Sequence, residues 1–355
     1  MKIKKYITYA LVTALTALIL INPAYTMESA KSALALCGEV IIPSLFPFFV
    51  CSGLLIYSGF AETLSKIFSP VMKPLFGING SASAAFVLGI ISGYPMGAST
   101  ACSLYESGYL TREETERLLG FCNNSGPLFI LGAVGTSLLG NPKTGWIIYA
   151  AHILSAFVIG IIMKFTRKEY EVISRDAPIL NPKRSIGEIF SIVMSNSINS
   201  ILNVCGVIIF TATAARLVLG FLPCGAWYTA FITGLFEFAS GSSAVAALSI
   251  DEFSKIILST FIVGFAGISV HLQVTGIVAK YGLSMKKYIL GKLLHAVISA
   301  SVVYIVVRYT HILYEFTPAS DGGFGIGFFA AAGFVTAAAA VVIVVGRLCR
   351  KRRIV

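Results

Sequence analysis

Glu237 is an acid set in apolar sequence, followed closely by Ser240 and Gly241. A carboxylate at the middle of a bilayer costs about 2.5–3.5 kcal/mol on insertion scales, so an intramembrane acid implies work: holding a cation, a proton or a polar solute group. Three other stretches share this mixture of apolar setting and polar, chain-breaking residues. Ser92-Gly93-Tyr94-Pro95 forms one, and Asn123-Asn124-Ser125-Gly126-Pro127 a second. The third runs from Gly267 to Gln273 and alternates Ser269, His271 and Gln273 with apolar residues. Ser92 to Ser125 and Ser240 to Gln273 are each 33 residues apart.

The residue types indicate the chemistry. Proline removes an N–H and glycine permits the bend, so Asn123 to Pro127 reads as an unwound helix whose free carbonyls and amides suit Na⁺. The new half-helix N-terminus would attract an anionic group. Tyr94 suits either stacking on a planar ligand or wedging the hairpin closed. His271 suits a proton relay or an interhelical hydrogen bond. The candidate solute site is therefore Ser92, Gly93, Tyr94, Pro95, Asn123, Asn124, Ser125, Glu237, Ser240, Gly241, Ser269 and Gln273. Asn196, Asn199, Ser200 and Asn203 fall on one helical face and suit polar contacts between helices ahead of contact with a ligand.

These residues need a membrane scaffold, and composition supplies one. The chain of 355 residues is 56% hydrophobic and 12% charged, with a mean hydropathy of +0.85. Soluble domains carry about 25% charged residues. Apolar runs long enough to span occupy about 40–58, 145–164, 189–212, 287–307 and 325–346. Residues 1–22 fit a first transmembrane helix or a signal peptide, and no clean small-x-small cleavage site follows. Paired interruptions lie between these runs. We expect a re-entrant hairpin at 81–104 and another at 226–247, with interrupted crossing helices at 120–140 and 257–280.

Charge orients this layout. Starting inside, it leaves only Lys31, Lys143, Arg216, Lys255 and Arg308 outside among the 27 Lys and Arg, with Lys292 counted in the cytoplasmic flank. Reading each broken segment as a full span would move Arg112 and Arg117 outside. The hairpin layout makes 40–164 and 189–307 an inverted pair, joined by a cytoplasmic linker at 165–188. Residues 325–346 add a last helix with a basic tail. The net charge of +11 thus follows topology and does not indicate nucleic acid. Walker, H-E-x-x-H and G-x-S-x-G patterns are absent, and Gly322 to Gly327 lacks a preceding strand, so we expect neither an enzyme nor a metal site.

Ile42-Pro43-Ser44-Leu45-Phe46-Pro47-Phe48, Ser92-Gly93-Tyr94-Pro95-Met96-Gly97-Ala98 and Asn123 to Val134 together resemble the sporulation integral membrane protein YlbJ family, which carries the nucleoside-recognition Gate domain. That family is similar to concentrative nucleoside transporters. The resemblance implies an all-α polytopic fold with inverted repeats, two hairpins and two unwound helices. It also implies endospore formation and a small carboxylate such as dipicolinate as solute. Nucleoside carriers place an acid in each half of the site, whereas here Tyr94 stands in the first hairpin and only the second carries Glu237. We therefore expect a multi-pass protein of a bacterial cytoplasmic or forespore membrane. Its partners are the lipid bilayer and a small-molecule solute, polar or anionic, moved by alternating access. It needs no cofactor; Na⁺ or H⁺ coupling and a homo-oligomer stay open. The rival reading is a non-transporting scaffold or signalling protein of sporulation.

Overall fold

Where proline denies a helix its next N–H, the chain turns. The computed structural model describes residues 2–57, 60–166, 185–220 and 225–310, and all its regular elements are helical. Helix α1 (Lys2–Ile21) ends two residues before Pro23, and α2 (Pro23–Leu36) leaves at a bend of 101°. A π-helical turn, Cys37–Ile41, carries α2 into α3 (Ile42–Tyr57). The run expected at 40–58 is therefore the far end of a longer helical path. Next comes α4 (Phe60–Phe76), which falls outside every expected element. Ile67, Phe68, Val71 and Leu75 are exposed along one of its sides, the pattern of a helix lying at a membrane surface.

The first hairpin is α5 (Ala82–Ser92) and α6 (Met96–Glu106). The crossing segment behind it begins with α7 (Arg112–Cys122), opened by a Thr111/Glu114 capping box. It is extended at 123–126 and resumes as the π-helix Leu128–Leu138. Two long helices follow, α8 (Pro142–Lys164) and α9 (Ile186–Leu219). The second hairpin is α10 (Ala226–Phe236) and α11 (Phe238–Ala246). Its crossing helix is α12 (Glu252–Phe265) and α13 (Gly267–Ala279), parted at Ala266 and Gly267, whose φ values are +71° and +67°. Helix α14 (Lys286–Thr310) closes the described chain.

Four segments are long and apolar enough to cross a bilayer: α8, α9, α12 with α13, and α14; the bent pair at the N-terminus makes a fifth. At 1.5 Å per residue, the 34 residues of α9 span about 51 Å, beyond a hydrocarbon core of about 30 Å. The helix thus outruns the expected 189–212, and its surplus turn brings Arg216 to Glu28 at 3.0 Å and over the Tyr25 ring at 4.7 Å. The expected helix at 325–346 with its basic tail, the glycine run Gly322 to Gly327 and residues 167–184 of the linker lie outside the described residues.

The first hairpin returns to the side from which it starts. Arg117, in the helix that leaves the first hairpin, donates to the carbonyls of Phe76 and Gly77 at its entrance, at 3.0 and 2.9 Å. Arg112 reaches the Gly282 carbonyl at 2.6 Å, Ser284 N donates to Glu116 at 2.9 Å, and Lys287 pairs with Glu113 at 3.0 Å. Arg112 and Arg117 therefore share one rim with Lys280, Lys286 and Lys287, as the hairpin layout requires. Partial burial pushes the Glu113 carboxyl up, but Lys287 and Arg117 overcome this and hold it below the ordinary carboxylate range. Beneath the rim, Phe76, Phe86, Phe121 and Phe157 lock α4, α5, α7 and α8 together, with ring centroids 5.0–5.9 Å apart.

Candidate functional site

In the first repeat the hairpin tip is pressed backbone to backbone onto the break in the crossing helix. Gly93 has φ +82°, and a Cβ there would stand 2.7 Å from Gly126 N. A Cβ on Gly97 would stand 2.0 Å from the Cys122 carbonyl oxygen. Side chains supply what the unwound backbone lacks. Asn123 Oδ1 accepts from Ala98 N at 3.3 Å, Asn124 Nδ2 donates to the Phe121 carbonyl at 2.9 Å, and Ser125 N donates to His152 Nε2 at 3.1 Å. Asn123 Nδ2 and Asn124 Oδ1 stay buried without hydrogen bonds.

The second repeat solves the same problem with one residue. Glu237 is fully buried, and both carboxylate oxygens accept from the first turn of α11, from Ala239 N and Ser240 N. An acid at a helix N-terminus is a cap. The positive end of α11 is thus filled by the protein's own carboxylate, and that of α6 is met by Asn123. Gly241 joins the hairpin arms, since its Cβ would stand 2.0 Å from Gly234 Cα. His271 Nδ1 lies 2.7 Å from the Gly267 carbonyl, within the first turn of α13. Ser269 Oγ and Gln273 Oε1 are buried without hydrogen bonds.

The two tips meet at the centre. Tyr94 and Phe238 pack edge to face at 5.7 Å, and Phe129, just past the first break, lies 4.9 Å from Phe238. Around them is a cavity of about 20 Å³ lined in part by Tyr94, Ser125, Gly126, Phe129, Phe238 and Gln273. That is room for about one water. Of the expected site residues, Tyr94, Ser125 and Gln273 line it. Ser92, Gly93, Pro95, Asn123, Asn124, Glu237, Ser240, Gly241 and Ser269 stand in the tips and breaks around it without forming its wall.

A second cavity of about 550 Å³ lies between α9 and α6, with Lys280 among its lining residues. One wall is the α9 stripe Asn196, Asn199, Ser200 and Asn203; the other is Ser99 and Ser103 of α6 with Ser107 just past its end, and Phe49, Met96 and Leu104 add apolar lining. The asparagines make no side-chain hydrogen bond among the described residues and are exposed to the cavity. The stripe expected to bind helix to helix instead lines an aqueous-sized passage. The matching serine stripe, at i, i+4 and i+8 from Ser99 of α6, was the signal that could have revealed it.

Lys292 also departs from expectation. Placed by sequence in the cytoplasmic flank, it is fully buried on α14. Its Nζ donates to the Tyr94 hydroxyl at 3.3 Å and stands 4.8 Å from that ring's centroid. Close approach of α14 to α7 puts it there: a Cβ on Gly291 would stand 2.0 Å from the Gly120 carbonyl oxygen. Tyr288 and His295, at i−4 and i+3, share its face and are fully buried, and His295 lies 4.1 Å from His152, ring to ring.

Helices that cross a membrane, two hairpins meeting at a buried centre and a cavity lined in part by asparagines and serines define an integral, multi-pass membrane protein of transporter-like build. Residues 39–140 match the family model Gate, nucleoside recognition, which covers the first hairpin and first break. Over 321 residues the chain is 32% identical to the sporulation integral membrane protein YlbJ of Bacillus subtilis (strain 168), covering 81% of this chain and 78% of that protein. The chain belongs to the YlbJ family. No solved structure matches it.

Proposed function

We propose that this protein moves a small polar or anionic solute, a dipicolinate-like carboxylate or a nucleoside-like molecule, across a bacterial membrane by alternating access during endospore formation. The observation that carries this reading is the pairing of two cavities. A 550 Å³ cavity lined in part by asparagines and serines reaches Met96, two residues from Tyr94, and Tyr94 lines a 20 Å³ chamber with Phe238 of the other hairpin. Irregular backbone at membrane depth is tolerated where it is buried in protein or lines such a cavity, and both breaks abut the chamber region. A chamber this small admits a solute only if the tips part, which gives the tips the role of a gate. The relative's name supports the link to sporulation, and the Gate match supports a small-molecule site.

The test is flux into proteoliposomes containing the full chain, with labelled dipicolinate and labelled uridine as separate probes. Uptake of either above empty liposomes supports the carrier. Binding without uptake would favour the scaffold alternative.

A further inference from the structure

Resting on the carrier reading, we propose that Lys292 is the solute's counter-charge: the site selects a carboxylate or similar oxyanion, which pairs with Lys292 Nζ when Tyr94 swings aside, and it discriminates against uncharged nucleosides.

The argument begins with an imbalance. Lys292 is fully buried, and among the described residues no carboxylate pairs with it. An ammonium has three N–H donors, yet one hydrogen bond, to Tyr94, is made. That bond and the contact with the Tyr94 ring are weak recompense for burying a charge, because an unpaired ion in a protein interior is strongly destabilising. Glu237, the buried acid of the second hairpin, directs both oxygens at α11.

Further donors stand nearby. Tyr288 OH and the Asn123 amide lie against one another, and a neutral His295 offers one ring N–H. Tyr288 and His295 flank Lys292 on α14, and Asn123 belongs to the break that α14 faces. A carboxylate offers about four acceptor sites, so it can take the lysine and several of these donors together. The rival anion sites, the N-termini of α6 and α11, are already met by Asn123 and Glu237. Lys292 is the amine left at the centre.

Tyr94 connects this charge to the passage. It lines the central chamber and also carries Lys292 against its ring. Its hydroxyl is held on the other side by a single bond to the Val263 carbonyl at 3.2 Å. Displacing one side chain therefore enlarges the chamber and uncovers the ammonium. An uncharged nucleoside would leave that ammonium unmatched.

The experiment uses the purified full chain in detergent, with dipicolinate, its dimethyl ester and uridine as probes and thermal unfolding as readout. A ligand that binds the native state raises its apparent stability. Dipicolinate is expected to raise the unfolding temperature of the wild type, and the ester and uridine are not. Lys292→Met should abolish the dipicolinate response, and Lys292→Arg should retain part of it. Without probe, Lys292→Met should unfold at the wild-type temperature or above, because an unmatched charge has gone. A markedly lower temperature without probe makes Lys292 structural and overturns the proposal. So does a dipicolinate response that survives Lys292→Met, or a wild type stabilised equally by ester or uridine. A wild type that binds and transports uridine but not dipicolinate removes the Lys292 assignment and leaves the carrier reading standing. One that binds none of the three probes removes both.

Discussion

The Tyr94 hydroxyl donates to the Val263 carbonyl across 3.2 Å, which latches the tip of the first hairpin to the crossing helix of the second repeat. Tyr94→Phe keeps the ring and removes the latch, at a cost of about 1 kcal/mol. A single cysteine at position 273, on the chamber wall, should then react several-fold faster with a small thiol reagent. An unchanged rate would show that the hydroxyl does not hold the gate.

Glu237 is expected to act first through α11. Glu237→Ala leaves Ala239 N and Ser240 N without acceptors and should lower stability by about 1–2 kcal/mol. Glu237→Gln retains one acceptor oxygen and should lose less. Thermal unfolding of both variants checks the order; equal losses, or none, would remove the cap.

The tip-to-break contacts predict a contrast between glycines. Gly97→Ala puts a Cβ 2.0 Å from a backbone oxygen and should abolish folded protein, seen as loss of a monodisperse chromatographic peak. Gly206→Ala meets nothing within 4 Å and should be neutral or stabilising by up to about 1 kcal/mol, as alanine is the better helix former. If both variants behave alike, the close approach is wrong.

Asn203 faces the polar passage without a hydrogen bond, so Asn203→Trp should leave abundance and unfolding temperature near wild type, within about 0.5 kcal/mol. It should reduce flux in proteoliposomes to the level of empty liposomes. Full flux would remove the passage as the solute's route.

Glu113 predicts an acid dependence. Its carboxyl is lower in the folded protein than its ordinary value, so its contribution to stability is fully present above the ordinary carboxylate range and is lost as pH falls through the folded value. Glu113→Gln should flatten that part of the stability profile between wild type and variant, and should loosen Lys287 and Arg117 together. Thermal unfolding across mildly acidic pH reads both effects.

The breaks were legible because they are written in residue type. Gly126-Pro127 and Gly93 with Pro95 cannot continue an α-helix, whatever surrounds them. The rim was legible through charge, since Arg112 and Arg117 must find polar company. What escaped was anything decided by which way a helix faces. Lys292 sits six residues inside α14, where a lysine near a helix end ordinarily extends to the membrane surface; the close approach at Gly291 turns it inward instead. The asparagine stripe showed that one side of α9 is polar, but only the position of α6 makes that side a cavity wall. Helix α4 escaped because it is too short to span, and it holds Pro70 and Pro74 within it.

The rim bonds have a mechanical consequence. Arg112 to Gly282, Glu116 to Ser284 and Glu113 to Lys287 sew the start of α7 to the turn between α13 and α14 and to the first turn of α14, across the boundary between the repeats. Helices α3 and α9 pack on one another, and among the described residues no ion pair joins either of them to a hairpin. The molecule's seam therefore does not follow its duplication. On the proposed carrier reading, the two repeats would then move together against α3 and α9, because the stitches join one repeat to the other.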